Sequence, residues 1–64
     1  MADISPIDLR ILACLAEGLS VPKAADRLGM NFETLRSRIK ELYRKLGAKN
    51  KTDAVMLARE MKLI

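Results

Sequence analysis

Seven basic side chains and one acidic one fall between residues 36 and 51: Arg36, Arg38, Lys40, Arg44, Lys45, Lys49 and Lys51 against Glu41. A local excess of that size attracts a polyanion. Guanidinium and ammonium groups are donors only, which suits them to phosphate oxygens and to the O6 and N7 acceptors of guanine. Covalent chemistry has far less to work with. The chain has no histidine and a single cysteine, Cys14. It therefore offers no Cys/His set for zinc, no disulfide, and no nucleophile with an activating partner in view. A paired-carboxylate cleft and a glycine-rich phosphate loop are missing too. Enzymatic function is not expected, nor is a cofactor or metal site, and Cys14, set in an apolar stretch, reads as a small buried hydrophobe.

The charge is unevenly placed along the chain. Of the net +4, residues 1 to 30 contribute −1 (three basic, four acidic) and residues 31 to 64 contribute +5 (nine basic, four acidic). Sixty-four residues make a single domain, 1–64, because a chain so short buries only about 60% of its unfolded surface and cannot divide that core. Half of the residues are apolar, but only Phe32 and Tyr43 are aromatic. The core must then be Leu, Ile, Val, Met and Ala packed between helices. No apolar run approaches the roughly 20 residues that span a bilayer. Met1-Ala2-Asp3-Ile4 lacks the basic and hydrophobic regions of a leader, so a cytoplasmic protein without a membrane partner is expected.

The elements that must position the cations are marked by two prolines and three glycines. Ser5-Pro6 reads as an N-cap with proline at the first helical position, Asp8 places a carboxylate in the first turn, and Ile7, Ile11, Leu12 and Leu15 form the buried stripe. Gly18 closes this helix. Ser20 caps a short second helix containing Pro22, with Ala24, Ala25 and Leu28 inward and Gly29 at its end. Asn31 caps a third helix that runs to Leu46 and stops at Gly47. After Ala48-Lys49-Asn50-Lys51, Thr52 is expected to cap a fourth helix, with Asp53 in its first turn. The expected fold is all-α, with helices at about 6–17, 21–28, 32–46 and 53–62.

The third helix has two faces. Leu35, Ile39, Leu42 and Leu46 follow the i, i+4, i+7, i+11 pattern of a buried stripe, at about 100° per residue. Arg36, Lys40, Glu33, Arg44 and Ser37 lie opposite, on the outward side. One face anchored and the other polar and basic is the geometry that a helix needs to enter a major groove about 12 Å wide. Ala25 and Gly29 on the preceding helix, with Leu28, Met30 and Leu35 as apolar flanks, fit a helix-turn-helix.

Beyond that generic motif, four stretches resemble the LuxR-type (GerE-type) helix-turn-helix family over about residues 5 to 60: Leu15-Ala16-Glu17-Gly18-Leu19-Ser20, Ala25-Asp26-Arg27-Leu28-Gly29-Met30, Glu33-Thr34-Leu35, and Leu46-Gly47-Ala48-Lys49-Asn50-Lys51-Thr52-Asp53-Ala54-Val55. The last is the most specific, since a generic helix-turn-helix has no basic link and fourth helix. The resemblance implies a four-helix, bacterial, sequence-specific DNA-binding domain of a transcription regulator. It places base-reading positions on Arg36, Ser37 and Lys40, and DNA-backbone positions on Thr34, Lys49, Lys51 and Arg44. It makes the fourth helix a homodimer surface, to which Met56, Met61 and Leu63 offer apolar side chains.

Three departures from the family pattern stand out. Lys23 replaces a usual glutamate and Ala24 a larger aliphatic residue, which removes a capping-box partner and core volume from the second helix. Arg38 stands where histidine is frequent and is expected to add a cation beside the groove face. With Met1 at the start and four residues before Ser5, no receiver or ligand-binding domain is expected ahead of the helices. Two other functions fit parts of the pattern. A small interaction module would use the fourth helix to bind and modulate a related regulator. A fragment resembling the promoter-reading region of a sigma factor would account for the second and third helices but not the fourth.

Overall fold

The computed structural model describes residues 4–64; Met1, Ala2 and Asp3, on which part of the leader argument rests, lie outside the described residues. Four helices follow in order: α1 (Pro6–Ala16), α2 (Val21–Leu28), α3 (Phe32–Leu46) and α4 (Lys51–Glu60). Each begins where a side chain satisfies backbone N–H groups that the helix leaves unpaired. The Ser5 hydroxyl accepts from the Asp8 N–H and the Asp8 carboxylate from the Ser5 N–H, a complete capping box. Ser20 accepts from Lys23 N–H only, the half-box that a lysine leaves when it takes the place of glutamate. Asn31 accepts from the N–H groups of Glu33 and Thr34.

The helix ends share one device. In all four, two successive N–H groups turn back onto carbonyls of the last turn: Leu19 to Cys14, Met30 to Ala25, Ala48 to Tyr43 and Leu63 to Ala58 make the bond of each pair that spans more residues. This Schellman arrangement needs one left-handed residue. At Gly29 the φ is +66°, yet a Cβ there would meet nothing within 4 Å. Glycine is thus favoured at the α2–α3 turn for its backbone angle and not for clearance.

The fourth helix departs from expectation at both ends. Its cap is Asn50, whose Oδ1 accepts the Asp53 N–H at 2.8 Å, while the Asp53 carboxylate accepts the Lys49 N–H at 3.1 Å. Thr52 lies inside the first turn instead of capping it, because the Asn50 side chain already takes the Asp53 N–H and the Asp53 carboxylate reaches back past the cap to the Lys49 N–H. At the other end Lys62, at φ 60°, takes the left-handed position that glycine takes elsewhere, and Leu63 folds back against the core. The helix accordingly runs over Lys51–Glu60 and not to residue 62. The first helix likewise ends at Ala16, one residue early, with Glu17 as its cap.

The core is made by unequal partners. α1 and α3 contribute Ile11, Leu12, Cys14, Leu15, Leu35, Ile39, Leu42 and Leu46, whereas α2 and α4 contribute only Ala24, Ala25, Ala54 and Ala58 to the buried set. Small side chains bring the axes of α2 and α4 close to the two large-residue helices. α1 and α3 each touch all three other helices, and α2 and α4 do not touch each other. α3 is therefore braced from three sides. Valine and methionine, expected in the core, stand at its rim: Val21, Val55 and Met30 are half-buried, while Met56 and Met61, expected as surface residues of the fourth helix, are exposed. Cys14 is buried, as its apolar setting predicts. Among the described residues no helix is long and apolar enough to cross a membrane.

Candidate nucleic-acid interface

The stripe of Leu35, Ile39, Leu42 and Leu46 is buried along its whole length, which fixes the rotation of α3 and leaves Glu33, Arg36, Ser37 and Lys40 facing out. These four line a shallow recess of about 170 Å³. The three base-reading positions of the sequence analysis are thus brought together on one open surface. Arg36 has an ordered setting: its Nη1 lies 3.7 Å from the Glu33 carboxylate, and its guanidinium sits over the Phe32 ring, 5.7 Å from the centroid. The i, i+4 spacing of Phe32 and Arg36 is the sequence signal that could have revealed this pair. Beside them a second groove, lined by Val21, Arg36, Ile39, Lys40 and Tyr43, continues the surface toward α2. Tyr43 is half-buried, and burial raises the pKa of its hydroxyl above the ordinary tyrosine value.

The other cations of α3 are engaged differently. Asp8 is 2% exposed, and two α3 side chains converge on it: Arg38 Nε at 3.5 Å and Lys45 Nζ at 3.4 Å. Arg38 Nη2 also donates to the Ser5 hydroxyl at 3.4 Å. Burial alone would raise the pKa of Asp8, but the Ser5 hydrogen bonds and the Lys45 ammonium outweigh it and hold the carboxyl below its ordinary range. Arg38, expected to add a cation beside the groove face, instead ties α3 to the start of α1. A carboxylate 30 residues away in sequence leaves no local signal for such a contact. Arg44 pairs with Glu41 one turn earlier, which lowers the pKa of Glu41 through the hydrogen bond and raises that of Arg44.

Of the backbone candidates, Thr34 is exposed on the edge of α3 shared with Ser37, where both line a recess of about 330 Å³ together with Asp8, Arg38, Glu41 and Lys45. Lys49 is exposed on the link before α4, its N–H bound to Asp53. Lys51 is placed apart from the base-reading triad, in a groove between α1 and α4 with Leu15, Thr52, Val55, Met56 and Arg59. Of the three apolar residues proposed for pairing, Met56 and Met61 are open to solvent at 53% and 50%, whereas Leu63 leans against the core. No group of three or more His, Cys, Asp or Glu among the described residues is arranged to hold a metal ion.

Residues 3–58 match the family described as bacterial regulatory proteins, luxR family. The chain is 38% identical over 58 residues to the HTH-type transcriptional activator RamA of Corynebacterium glutamicum, a match covering 91% of this chain and 21% of that protein. It is 40% identical over 48 residues to the transcriptional regulatory protein YdfI of Bacillus subtilis, covering 75% of this chain and 22% of that one. In three dimensions it is similar to the response regulator ChrA of a heme-sensing two-component system, with a TM-score of 0.94 and 33% identity over the whole of this chain and 32% of that one. The chain thus spans about a fifth of the length of the two regulators and about a third of the solved structure.

Proposed function

The chain belongs to the luxR family of bacterial regulatory proteins, and on that premise we propose that it binds double-stranded DNA sequence-specifically as a transcription regulator, with α3 in the major groove. The observation that carries this is the recess formed by Glu33, Arg36, Ser37 and Lys40 on the face of α3 opposite its buried stripe. In a helix-turn-helix the second helix lies in the groove and presents its N-terminal residues to base edges. Arg36 and Lys40 supply donors for guanine, and Ser37 pairs with several bases. Thr34, Lys49, Lys51 and Arg44 serve as contacts to the phosphate backbone, which set the register.

The functional unit in this proposal is a homodimer formed through α4, with exposed Met56 and Met61 at the contact and one α3 per half-site. The same two methionines support a second reading, in which the chain binds and modulates a related regulator without reading DNA itself.

A titration onto selected and random duplexes at two salt concentrations separates the two. If a dimer neutralises about six phosphates, affinity falls on the order of a thousandfold between 50 and 200 mM salt. The Arg36→Ala/Lys40→Ala double variant should lose the preference for the selected site. No measurable binding at the lower salt would remove the DNA-reading proposal and leave the protein-partner reading.

A further inference from the structure

One aromatic side chain on α3 has no place in the core. Phe32 is 41% exposed, whereas Tyr43 packs against the hydrophobic cluster. Among the described residues the other large apolar side chains left so open, Met56, Met61 and Ile64, lie on or beyond α4. Phe32 therefore stands alone at the first position of the helix whose outward face carries Arg36, Ser37 and Lys40.

Its neighbours give it a defined position. The Arg36 guanidinium lies over the ring, 5.7 Å from the centroid, within the range where a cation is held by the face of an aromatic ring. Glu33 lies 3.7 Å from Nη1 of the same arginine. Arg36 is thus held between a ring and a carboxylate, and the ring remains partly open to solvent.

We propose that Phe32 is itself a base-reading residue, packing on the C5-methyl group of a thymine in the base pair next to the one that Arg36 contacts. This rests on α3 entering the major groove. Phenylalanine is among the side chains that make apolar contact with the thymine methyl, and that methyl is displayed in the major groove. Residues at i and i+4 are neighbours on a helix surface. A ring and a guanidinium in mutual contact therefore meet successive base pairs, about 3.4 Å apart along a strand. The site read would contain a guanine flanked by a thymine, recognised by one preformed pair of side chains.

The test uses a duplex site selected from a random pool by the wild-type chain. Each thymine in that site is replaced singly by deoxyuridine, which lacks only the methyl group, and affinities are measured for wild type, Phe32→Leu and Phe32→Ala. At one thymine per half-site, loss of the methyl should weaken wild-type and Phe32→Leu binding about fourfold, the effect of burying one methyl-sized group, and leave Phe32→Ala unaffected. The readout is a ratio between two DNAs, so Phe32→Glu, which suits a first helical turn, replaces the alanine variant if circular dichroism shows the latter to have lost helix. Equal deoxyuridine profiles in wild type and the truncated variant overturn the methyl contact while leaving groove reading standing, since a site was selected. A wild-type chain that selects no site overturns both.

Discussion

Two strips of α3 surface carry the same kinds of side chain and hold them in different ways. Along the edge that meets α1, Arg38 and Lys45 converge on Asp8, a carboxylate almost wholly withdrawn from water. Along the outward face, Arg36 and Lys40 line an open recess whose one acid, Glu33, is itself solvent-exposed. A charge on the first strip is committed to the protein, and one on the second is available to a ligand. Counting cations along a sequence cannot separate the two, because the separating group sits on another helix. The positive surface presented by α3 is consequently narrower than its five basic residues against two acidic ones imply.

The comparison predicts unequal costs for removing charge from the two strips. The largest effect should come from Asp8→Ala, which deletes half of the α1 capping box and the shared partner of two cations. It should lower stability by about 2–3 kcal/mol, whereas Arg36→Ala/Lys40→Ala should change it by less than about 0.5 kcal/mol. Urea denaturation of both variants checks this, and equal losses would erase the distinction between the strips.

A second effect follows from acidification. Asp8 has a folded pKa below its ordinary value, so its contribution is fully present above the ordinary carboxylate pKa and is lost as pH falls through the lower, folded value. The urea midpoint of the wild type should therefore drop between neutral pH and a pH below about 3.9 more than that of Asp8→Asn. Identical drops would show that Asp8 does not carry the acid sensitivity. Glu41, depressed by Arg44 on the open surface, adds only a screened background common to both proteins.

The smallest and most discriminating effect concerns DNA. Lys40→Ala should reduce the slope of log affinity against log salt by about 1 if Lys40 neutralises a phosphate, or relax the preferred site if it meets a base. Arg38→Ala should do neither. A change in slope or site with Arg38→Ala would mean that Asp8 releases its arginine when DNA arrives.

Much of the fold was legible because it was written in short-range signals. Ser5, Ser20 and Asn31 cap the helices they precede, and the period of Leu35, Ile39, Leu42 and Leu46 gives the rotation of α3 and with it the outward triad. The start of α4 is less legible, because two capping patterns overlap within four residues and Thr52-Asp53 resembles a cap as closely as Asn50 does. The fate of Arg38 was hidden for another reason, since its partner is distant in sequence. Lys51 is similar: its place in the α1–α4 groove depends on how α4 docks, a packing outcome with no local period.

Cys14 gives the molecule a built-in clock. The residue is 3% exposed and lies on α1 against the core, so a thiol reagent reaches it only while that core is open. The labelling rate then counts opening events in the unmodified chain, as amide exchange does. A duplex that binds the closed form slows the count by the factor 1 + [DNA]/Kd. Occupancy of a surface on α3 can be timed from a sulfur atom on α1, with no dye attached to the protein or the DNA.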